Sequence, residues 1–249
     1  MTFVGITAGI ALVIGSACVV NNMIDRNLDA QMKRTKKREV ATGNISLTNA
    51  TIYALILGVA GFGLLIAWTN WLTAILGVVA YVWYIVVYGI AKRTTPLSTI
   101  IGTVCGALPP MAGYTAVTGQ LDAVAWTLFL MMMAWQLPHF YAIAIFRRDD
   151  YRKVKIPVWS VRYGNAKTKM QIFFWMVVFA ALVPVLTVLG ATGYSYLIVM
   201  LGASIYWLYK GAVTYQKLDE VRWAGQTFGI SLVVLLVMCG AIGLGGYLP

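Results

Sequence analysis

Apolar residues fill this chain in long runs of about 20 positions, separated by short polar or charged stretches. Runs of that length, without period-two alternation, are typical of helices that cross a bilayer. The pattern predicts eight spans, at residues 3–24, 47–68, 71–90, 99–118, 121–146, 170–189, 194–207 with its flanks, and 223–248. Backbone groups inside lipid must be satisfied within the segment, so open strands are excluded. We therefore predict an all-α, polytopic membrane helical bundle that forms a single domain over residues 1–249.

The amino-acid composition agrees with this fold class and excludes an ordinary soluble protein. Of the 249 residues, 60% are hydrophobic and only 11% are charged, far from the balance of a soluble domain. The formal net charge of +11 would indicate a nucleic-acid partner in a soluble protein. Here the cations lie in the loops between apolar runs, so we expect the lipid bilayer as a partner and no nucleic acid.

The basic residues occur in alternate loops. These loops and their flanks hold Arg26, Lys33, Arg34, Lys36, Lys37, Arg38, Lys92, Arg93, Arg147, Arg148, Arg152, Lys153, Lys155, Arg162, Lys167, Lys169, Lys210, Lys217 and Arg222. The intervening turns at 69–70, 119–122 and 190–193 carry none. By the positive-inside rule, the basic loops face the cytoplasm, and the aspartate-rich stretches lie with them. We expect a multi-pass protein of the cell inner (plasma) membrane with its site facing the cytoplasm.

The start of the chain does not fit this orientation well. Eight spans with a cytoplasmic first loop place both ends outside, yet Met1 leads straight into an apolar run. This run has no basic segment before it and no cleavage site after it, so it does not have the pattern of a signal peptide. One further helix in front would place the start inside. We therefore expect that the chain lacks a first helix.

The first polar motif closes the first apolar run. Asn21, Asp25 and Asp29 recur at every fourth position, so on a continuing helix they share one face. Two carboxylates and an amide offer hard oxygen ligands, and Mg²⁺ usually takes one or two carboxylates together with water and phosphate oxygens. Arg34 and Arg38, in the basic stretch that follows, can neutralise phosphate. The alternative is a solvated helix end with a capping Asn and flanking positive charges, and the motif alone leaves both interpretations open.

Two features of the third and fourth spans are compatible with this site. Tyr88 and Lys92 lie one helical turn apart at the acidic side and can hold a diphosphate oxygen, although Tyr88 also suits an interfacial aromatic belt. In the fourth span, Pro109 and Pro110 are expected to kink or break the helix. A broken helix in a bundle commonly borders a cavity, and a packing kink is the alternative.

The fifth span carries the second polar motif. His139, the chain's one histidine, lies within the span beside Gln136, and intramembrane ionisable groups are functional candidates because burying them is costly. A neutral histidine bonded to a nearby carbonyl is the alternative. Asp149 and Asp150 follow at the end of the span, about 100° apart on a helix, so one of them faces a site directly. We expect the two acidic stretches to form opposite walls of one cavity mouth.

Four ordered motifs resemble the UbiA superfamily of intramembrane prenyltransferases, and within it the branch of protoheme IX farnesyltransferases (heme O synthases). The first is the NxxxDxxxD pattern on Asn21, Asp25 and Asp29, with its continuation DRxxDxxMxRTxxR over 25–38. The others are KRxT at 92–95, GAxPPxxG at 106–113, and a segment at 135–151 that matches WQxPHFxALAIxxxxDY with Ala142 and Ala144 in register. The superfamily's YxxxK pair falls on Tyr88 and Lys92.

This resemblance implies that farnesyl diphosphate, heme B and water give heme O and diphosphate. The catalytic residues that it implies are Asp25, Asp29, Asp150 and Lys92. The implied ligands of the Mg²⁺ cofactor are Asn21, Asp25, Asp29 and Asp150. The implied substrate-binding residues are Asn21, Asn22, Arg34, Arg38, Tyr88, Arg93, Gln136, His139 and Asp149. A heme A synthase or a terminal oxidase assembly is the implied protein partner.

The chain also departs from the pattern of this branch. It reads DYRKVKIPVWS at 150–160 where the branch usually has DYxxAGIPMLP, and the family's nine-helix bundle has one more helix in front. The loop bears on the prenyl acceptor, so another UbiA-type prenyltransferase acting on an aromatic or quinone precursor stays an alternative. A cation-coupled transporter is a further alternative, although carboxylates at helix ends on one side do not favour alternating access. The DGxxAR opening of CDP-alcohol phosphotransferases is missing.

Overall fold

The computed structural model describes residues 1–245, and it is helical throughout its regular elements. The helices are α1 (Thr2–Ile24), α2 (Arg26–Asp29), α3 (Glu39–Thr42), α4 (Leu47–Trp68), α5 (Trp71–Val82), α6 (Gly89–Thr94), α7 (Ser98–Thr118), α8 (Ala123–Phe146), α9 (Arg148–Lys153), α10 (Trp159–Val188), α11 (Tyr194–Thr214) and α12 (Glu220–Leu244). A π-helical segment, Trp83–Tyr88, joins α5 to α6. The all-α prediction is confirmed.

Eight helices in the described part of the chain are long and apolar enough to cross a membrane. They are α1, α4, the continuous span Trp71–Thr94, α7, α8, α10, α11 and α12. The predicted number of spans is confirmed, and this is a multi-pass membrane protein. The final residues of the predicted last span, up to 248, lie outside the described residues.

Several helix ends are set by side-chain caps. Ser46 accepts a hydrogen bond from the Asn49 backbone N–H and starts α4, the usual role of a serine at this position. Asp219 accepts from two backbone N–H groups at the start of α12, which therefore begins at Glu220, three residues before the predicted span. Capping by aspartate satisfies donors that would otherwise have no partner at a helix start.

The expected break of the fourth span at Pro109 and Pro110 does not occur, because α7 is continuous through both prolines. Their missing N–H groups remove only two bonds of the backbone ladder, which the neighbouring turns maintain. A kink at these prolines stays a prediction. The helix α10 begins at Trp159, well before the predicted span at 170–189. Within α10 the kink falls at Gly164, whose φ of 84° and ψ of 167° are non-helical and accessible to glycine at little steric cost.

The described residues form two compact units. The first comprises Met1–Leu121 together with Asp149–Pro157, and the second comprises Asp122–Arg148 together with the residues from Val158 on. The single domain over residues 1–249 stays a prediction.

In the first unit, α1 lies unusually close to α4. A Cβ atom added to Gly61 would lie 2.8 Å from the backbone nitrogen of Val13, so the two backbones touch because glycine stands there. The Ser16 hydroxyl donates a hydrogen bond of 2.7 Å to the carbonyl of Ala54. These contacts fix α1 and therefore the position of the polar residues at its end.

In the second unit, α8 packs against α10 and α12, and α11 packs against the same two helices. Buried indole N–H groups reach backbone carbonyls of neighbouring helices, as apolar rings with one polar atom require. Trp135 donates to Ser231 at 2.8 Å, Trp207 to Thr227 at 3.2 Å and Trp223 to Gly211 at 2.9 Å.

Candidate active site

The first polar motif keeps its helical stacking beyond the end of α1. The Asp25 backbone N–H donates to the Asn21 carbonyl at 2.9 Å, and the Asp29 N–H donates to the Asp25 carbonyl at 2.8 Å. This i to i−4 ladder places the three side chains on one face. Asn21, Asp25 and Asp29 are only 9%, 6% and 4% exposed. The predicted shared face is confirmed.

Lys92 joins this face from the third span. Its ammonium donates to the Asn21 side-chain oxygen at 2.6 Å and forms an ion pair with the Asp25 carboxylate. Arg93 donates to the other Asp25 oxygen at 2.7 Å and to the Ile24 carbonyl at 3.1 Å. Both oxygens of Asp25 therefore bind cationic donors. A buried carboxylate needs such partners, since an unpaired charge there would be very costly.

Asp29 is held by the loop that follows it. Arg38 donates to one Asp29 oxygen at 2.7 Å, and the Thr35 hydroxyl donates to the Asp29 backbone carbonyl at 3.1 Å. The second Asp29 oxygen accepts no hydrogen bond from the residues that the structure describes. The chain after α2 thus folds back so that an arginine faces the motif.

Tyr88 lies beside the Lys92 ammonium, which is 5.7 Å from the centre of its ring. The ring stacks on Tyr84 with 5.7 Å between centroids. It also occupies space left by Gly102, where an added Cβ would lie 2.8 Å from the ring. The π-helical segment ends at this tyrosine, and such segments are frequent at functional sites.

The second acidic stretch lies in α9, and both of its aspartates belong to the same compact unit as the first motif. The Asp149 side chain is 89% exposed and lies 3.7 Å from Arg152. Asp150 is half-buried and makes no hydrogen bond or ion pair with the described residues. The two aspartates therefore have different environments, as expected from their angular separation.

The remaining predicted residues have fewer polar contacts than those of the first motif. Asn22 is half-buried, Arg34 is exposed, and neither makes a hydrogen bond or ion pair with the described residues. In the second unit, Gln136 is buried and donates to the Met132 carbonyl at 3.2 Å. The imidazole of His139 lies 2.8 Å from the Ser231 hydroxyl.

Within residues 1–245, no group of three or more His, Cys, Asp or Glu side chains could hold a metal ion. Mg²⁺ needs fewer protein ligands, because one or two carboxylates with water and phosphate oxygens complete its octahedron. Asp25, Asp29 and Asn21 supply hard oxygens on one buried face. This donor set fits Mg²⁺, whereas the inclusion of Asp150 stays a prediction.

The UbiA prenyltransferase family matches residues 1–233. The chain belongs to this family. A protoheme IX farnesyltransferase 2 from Shewanella sp. (strain MR-4) is 42% identical over 232 residues, 92% of this chain and 75% of that protein. A protoheme IX farnesyltransferase from Pseudomonas savastanoi pv. phaseolicola is 42% identical over 237 residues, 95% of this chain and 80% of that protein.

Solved structures share the fold of this UbiA-family chain at lower identity. Digeranylgeranylglyceryl phosphate synthase aligns with a TM-score of 0.80 at 18% identity, over 98% of this chain and 85% of that one. A UbiA homologue from Archaeoglobus fulgidus bound to GPP and Mg²⁺ aligns with a TM-score of 0.67 at 13% identity, over 97% and 88%.

Two buried polar residues of this UbiA-family chain escaped the sequence analysis. Ser231, in α12, contacts His139. Lys169, grouped with the loop cations, lies within α10, where it is 5% exposed. Its ammonium is 4.5 Å from the Tyr215 ring and 4.8 Å from the Trp223 ring. The polarity of Ser231 within a span was a usable signal, but its partner could not be read from spacing.

Proposed function

We propose that this UbiA-family chain transfers the farnesyl group of farnesyl diphosphate to a vinyl group of protoheme IX, which gives heme O. The observation that carries the proposal is the 42% identity, over 92% of the chain, to a protoheme IX farnesyltransferase. The buried set of Asn21, Asp25, Asp29 and Lys92 supports it, because carboxylates and cations together suit a metal diphosphate.

The cations of the site neutralise the leaving group. Lys92, Arg93 and Arg38 are bound to the two carboxylates of the first motif, so three positive groups surround two negative ones. A diphosphate entering this cluster takes up hydrogen bonds from those cations, and exposed Arg34 adds a fourth. Charge developing on the departing oxygens is then stabilised by donors that are already in position.

Asn21, Asp25, Asp29 and Asp150 would hold Mg²⁺. When bound, the ion supplies Lewis-acid stabilisation of the diphosphate oxygens. Asp25 would take part in holding the metal, and its oxygens bind Lys92 and Arg93 in the structure. Those two cations would then be able to bind the phosphate oxygens.

The bonds change in a simple order. The allylic C–O bond breaks, and its electron pair leaves with diphosphate. The vinyl group of heme attacks the allylic carbon, and water adds to the resulting cation and loses a proton, which gives the hydroxyl of heme O. Lys92 and Tyr88, 5.7 Å apart from ammonium to ring centre, flank the departing group in this scheme.

The site belongs to the cytoplasmic face of the cell inner membrane in this proposal. The carboxylates lie on the side of the basic loops that contain Arg34 and Arg38, the side that the positive-inside rule assigns to the cytoplasm. Its product would be consumed by a reaction that oxidises or inserts heme O, such as that of a heme A synthase or a terminal oxidase assembly.

The test is an acceptor competition with the purified chain in detergent. Farnesyl diphosphate and Mg²⁺ are supplied with heme B or with 4-hydroxybenzoate, and products are separated by mass. Heme O formation that is absent from an Asp25→Ala control supports the proposal. Prenylation of 4-hydroxybenzoate alone would replace it with the aromatic-acceptor alternative.

A further inference from the structure

His139 is held between two helices of the second unit by aromatic rings and one hydroxyl. Its ring stacks on Trp135, at 5.1 Å and 26°, and lies 4.5 Å from Phe228 at an angle of 33°. Phe140 meets it edge-on at 5.3 Å. The near-parallel rings pack on the faces of the imidazole, so its polar contacts are made by the two nitrogens at the ring edge.

The hydroxyl of Ser231 fixes which imidazole nitrogen carries the proton. Ser231 donates its hydrogen bond to the Phe228 carbonyl, at 2.6 Å. A hydroxyl has one hydrogen, so its oxygen acts as acceptor toward Nδ1 of His139, 2.8 Å away. The proton of a neutral His139 is therefore on Nδ1, and Nε2 carries a free lone pair.

No donor among the described residues forms a hydrogen bond to the lone pair of Nε2. Among residues 1–245, His139 makes no ion pair, and its hydrogen bond to Ser231 is through Nδ1. The residue is nevertheless only half-buried, so part of its edge is accessible. Histidines that ligate metals almost always donate their other N–H to an acceptor, which orients the ring. His139 and Ser231 have that arrangement.

The kind of metal follows from the shortage of ligands. His139 is the chain's one histidine, and residues 1–245 contain no group of three metal-ligating side chains. A bare ion would need several protein ligands, whereas the iron of a porphyrin has four equatorial nitrogens already and needs only an axial one. The aromatic rings around His139 provide apolar surface suited to a porphyrin.

We infer that Nε2 of His139 is an axial ligand to the iron of the protoheme substrate, with Ser231 as the residue that orients it. The inference deepens the proposed function and rests on it for the identity of the porphyrin. It assigns to Ser231 a positioning role that acts through the imidazole.

The experiment measures binding without farnesyl diphosphate. The purified full chain is titrated with ferric protoheme IX, and separately with iron-free protoporphyrin IX, which has the same ring and propionates. We expect His139→Ala to weaken protoheme binding about tenfold or more and to lose the histidine-ligated absorption spectrum. Binding of iron-free protoporphyrin should stay within about twofold, and added imidazole should restore the spectrum.

Ser231→Ala tests the orienting hydroxyl with the histidine in place. The variant keeps the backbone carbonyl that accepts from Trp135, so the contact between α8 and α12 is retained. We expect a lower iron–histidine stretching frequency, measured by resonance Raman on the ferrous complex. Ser204→Ala is the matched control, because Ser204 is buried in the same unit and its hydroxyl donates to the Met200 carbonyl of its own helix. It should leave the frequency unchanged.

Three results would overturn the inference. They are an unchanged protoheme spectrum in His139→Ala, equal losses for both porphyrins, or an unchanged stretching frequency in Ser231→Ala. If His139→Ala does not fold, the stretching frequency of Ser231→Ala alone decides whether the inference holds. If the wild type forms heme O and one of these three results is found, the inference fails and the proposed function stands. If protoheme is bound through the histidine but no heme O forms, the proposed function fails and the histidine ligation stands.

Discussion

The ammonium of Lys92 is ion-paired with the carboxylate of Asp25, although the two residues are 67 positions apart in the chain. Their side chains are 9% and 8% exposed. Two buried charges of opposite sign thus neutralise each other in this cluster. In the proposed function, a metal diphosphate would replace this internal pairing with pairing to the ligand, so that neither buried group is left without a partner of opposite charge.

Asp25→Ala should abolish turnover and also lower stability. Removing the carboxylate leaves the buried Lys92 ammonium with the Asn21 oxygen as its hydrogen-bond partner, and breaking a buried pair in this way costs about 3–5 kcal/mol. The apolar helix α1 is intact, so membrane insertion should persist. The measurements are heme O per folded protein and the melting temperature in detergent.

A double variant separates the two effects of Asp25. In Asp25→Ala, Lys92→Met, no buried cation is left without its carboxylate, so the melting temperature should recover while turnover stays absent. Asp29→Ala should also abolish turnover with a smaller stability loss, because its partner Arg38 has a 33% exposed side chain and can hydrate. Normal turnover in either single variant would remove the carboxylates from the mechanism.

Removal of divalent metal should stop the reaction. The two carboxylates that would hold Mg²⁺ are matched by three cations, but those cations alone do not provide the Lewis acid of the proposed mechanism. We expect product formation to cease in excess EDTA after extensive washing, and to return with Mg²⁺ or Mn²⁺. Farnesylation that continues at its full rate under chelation would show that the cations suffice.

The two aspartates of α9 should differ. Asp149 is 89% exposed, so Asp149→Asn changes a solvated carboxylate and should cost little activity. Asp150 is half-buried and makes no ion pair with the described residues, so its charge is available for a ligand, and Asp150→Asn should cost at least about tenfold, which corresponds to 1.4 kcal/mol. Equal losses in turnover per folded protein would show that this assignment of the pair is wrong.

The parts of the structure that the sequence predicts are those fixed by local periodicity. Eight apolar runs became eight spans, and the spacing of Asn21, Asp25 and Asp29 put them on one face because i and i+4 positions always align on a helix. The pairing of Lys92 with Asn21 and Asp25 depends on which helices pack together, which spacing along the chain does not specify. Ser231 was missed for the same reason, since its role depends on a residue 92 positions away.

Gly102 offers a test of Tyr88 that leaves every charged residue in place. A Cβ at Gly102 would lie 2.8 and 2.9 Å from two carbons of the Tyr88 ring, closer than packed atoms tolerate, so the ring must move in Gly102→Ala. The ring lies beside Lys92, 5.7 Å from its ammonium. We expect weaker binding of farnesyl diphosphate by several-fold, on the order of 1 kcal/mol, measured by titration with Mg²⁺ present.

Gly113→Ala is the matched control for this change. Gly113 lies in the same helix, α7, and a Cβ there would meet nothing within 4 Å. Both substitutions raise helix propensity by a similar amount, up to about 1 kcal/mol, so a shared effect on the helix cancels in the comparison. A selective loss in Gly102→Ala places the Tyr88 ring in the diphosphate site. Equal affinities in the two variants would mean that the ring contributes packing and no recognition.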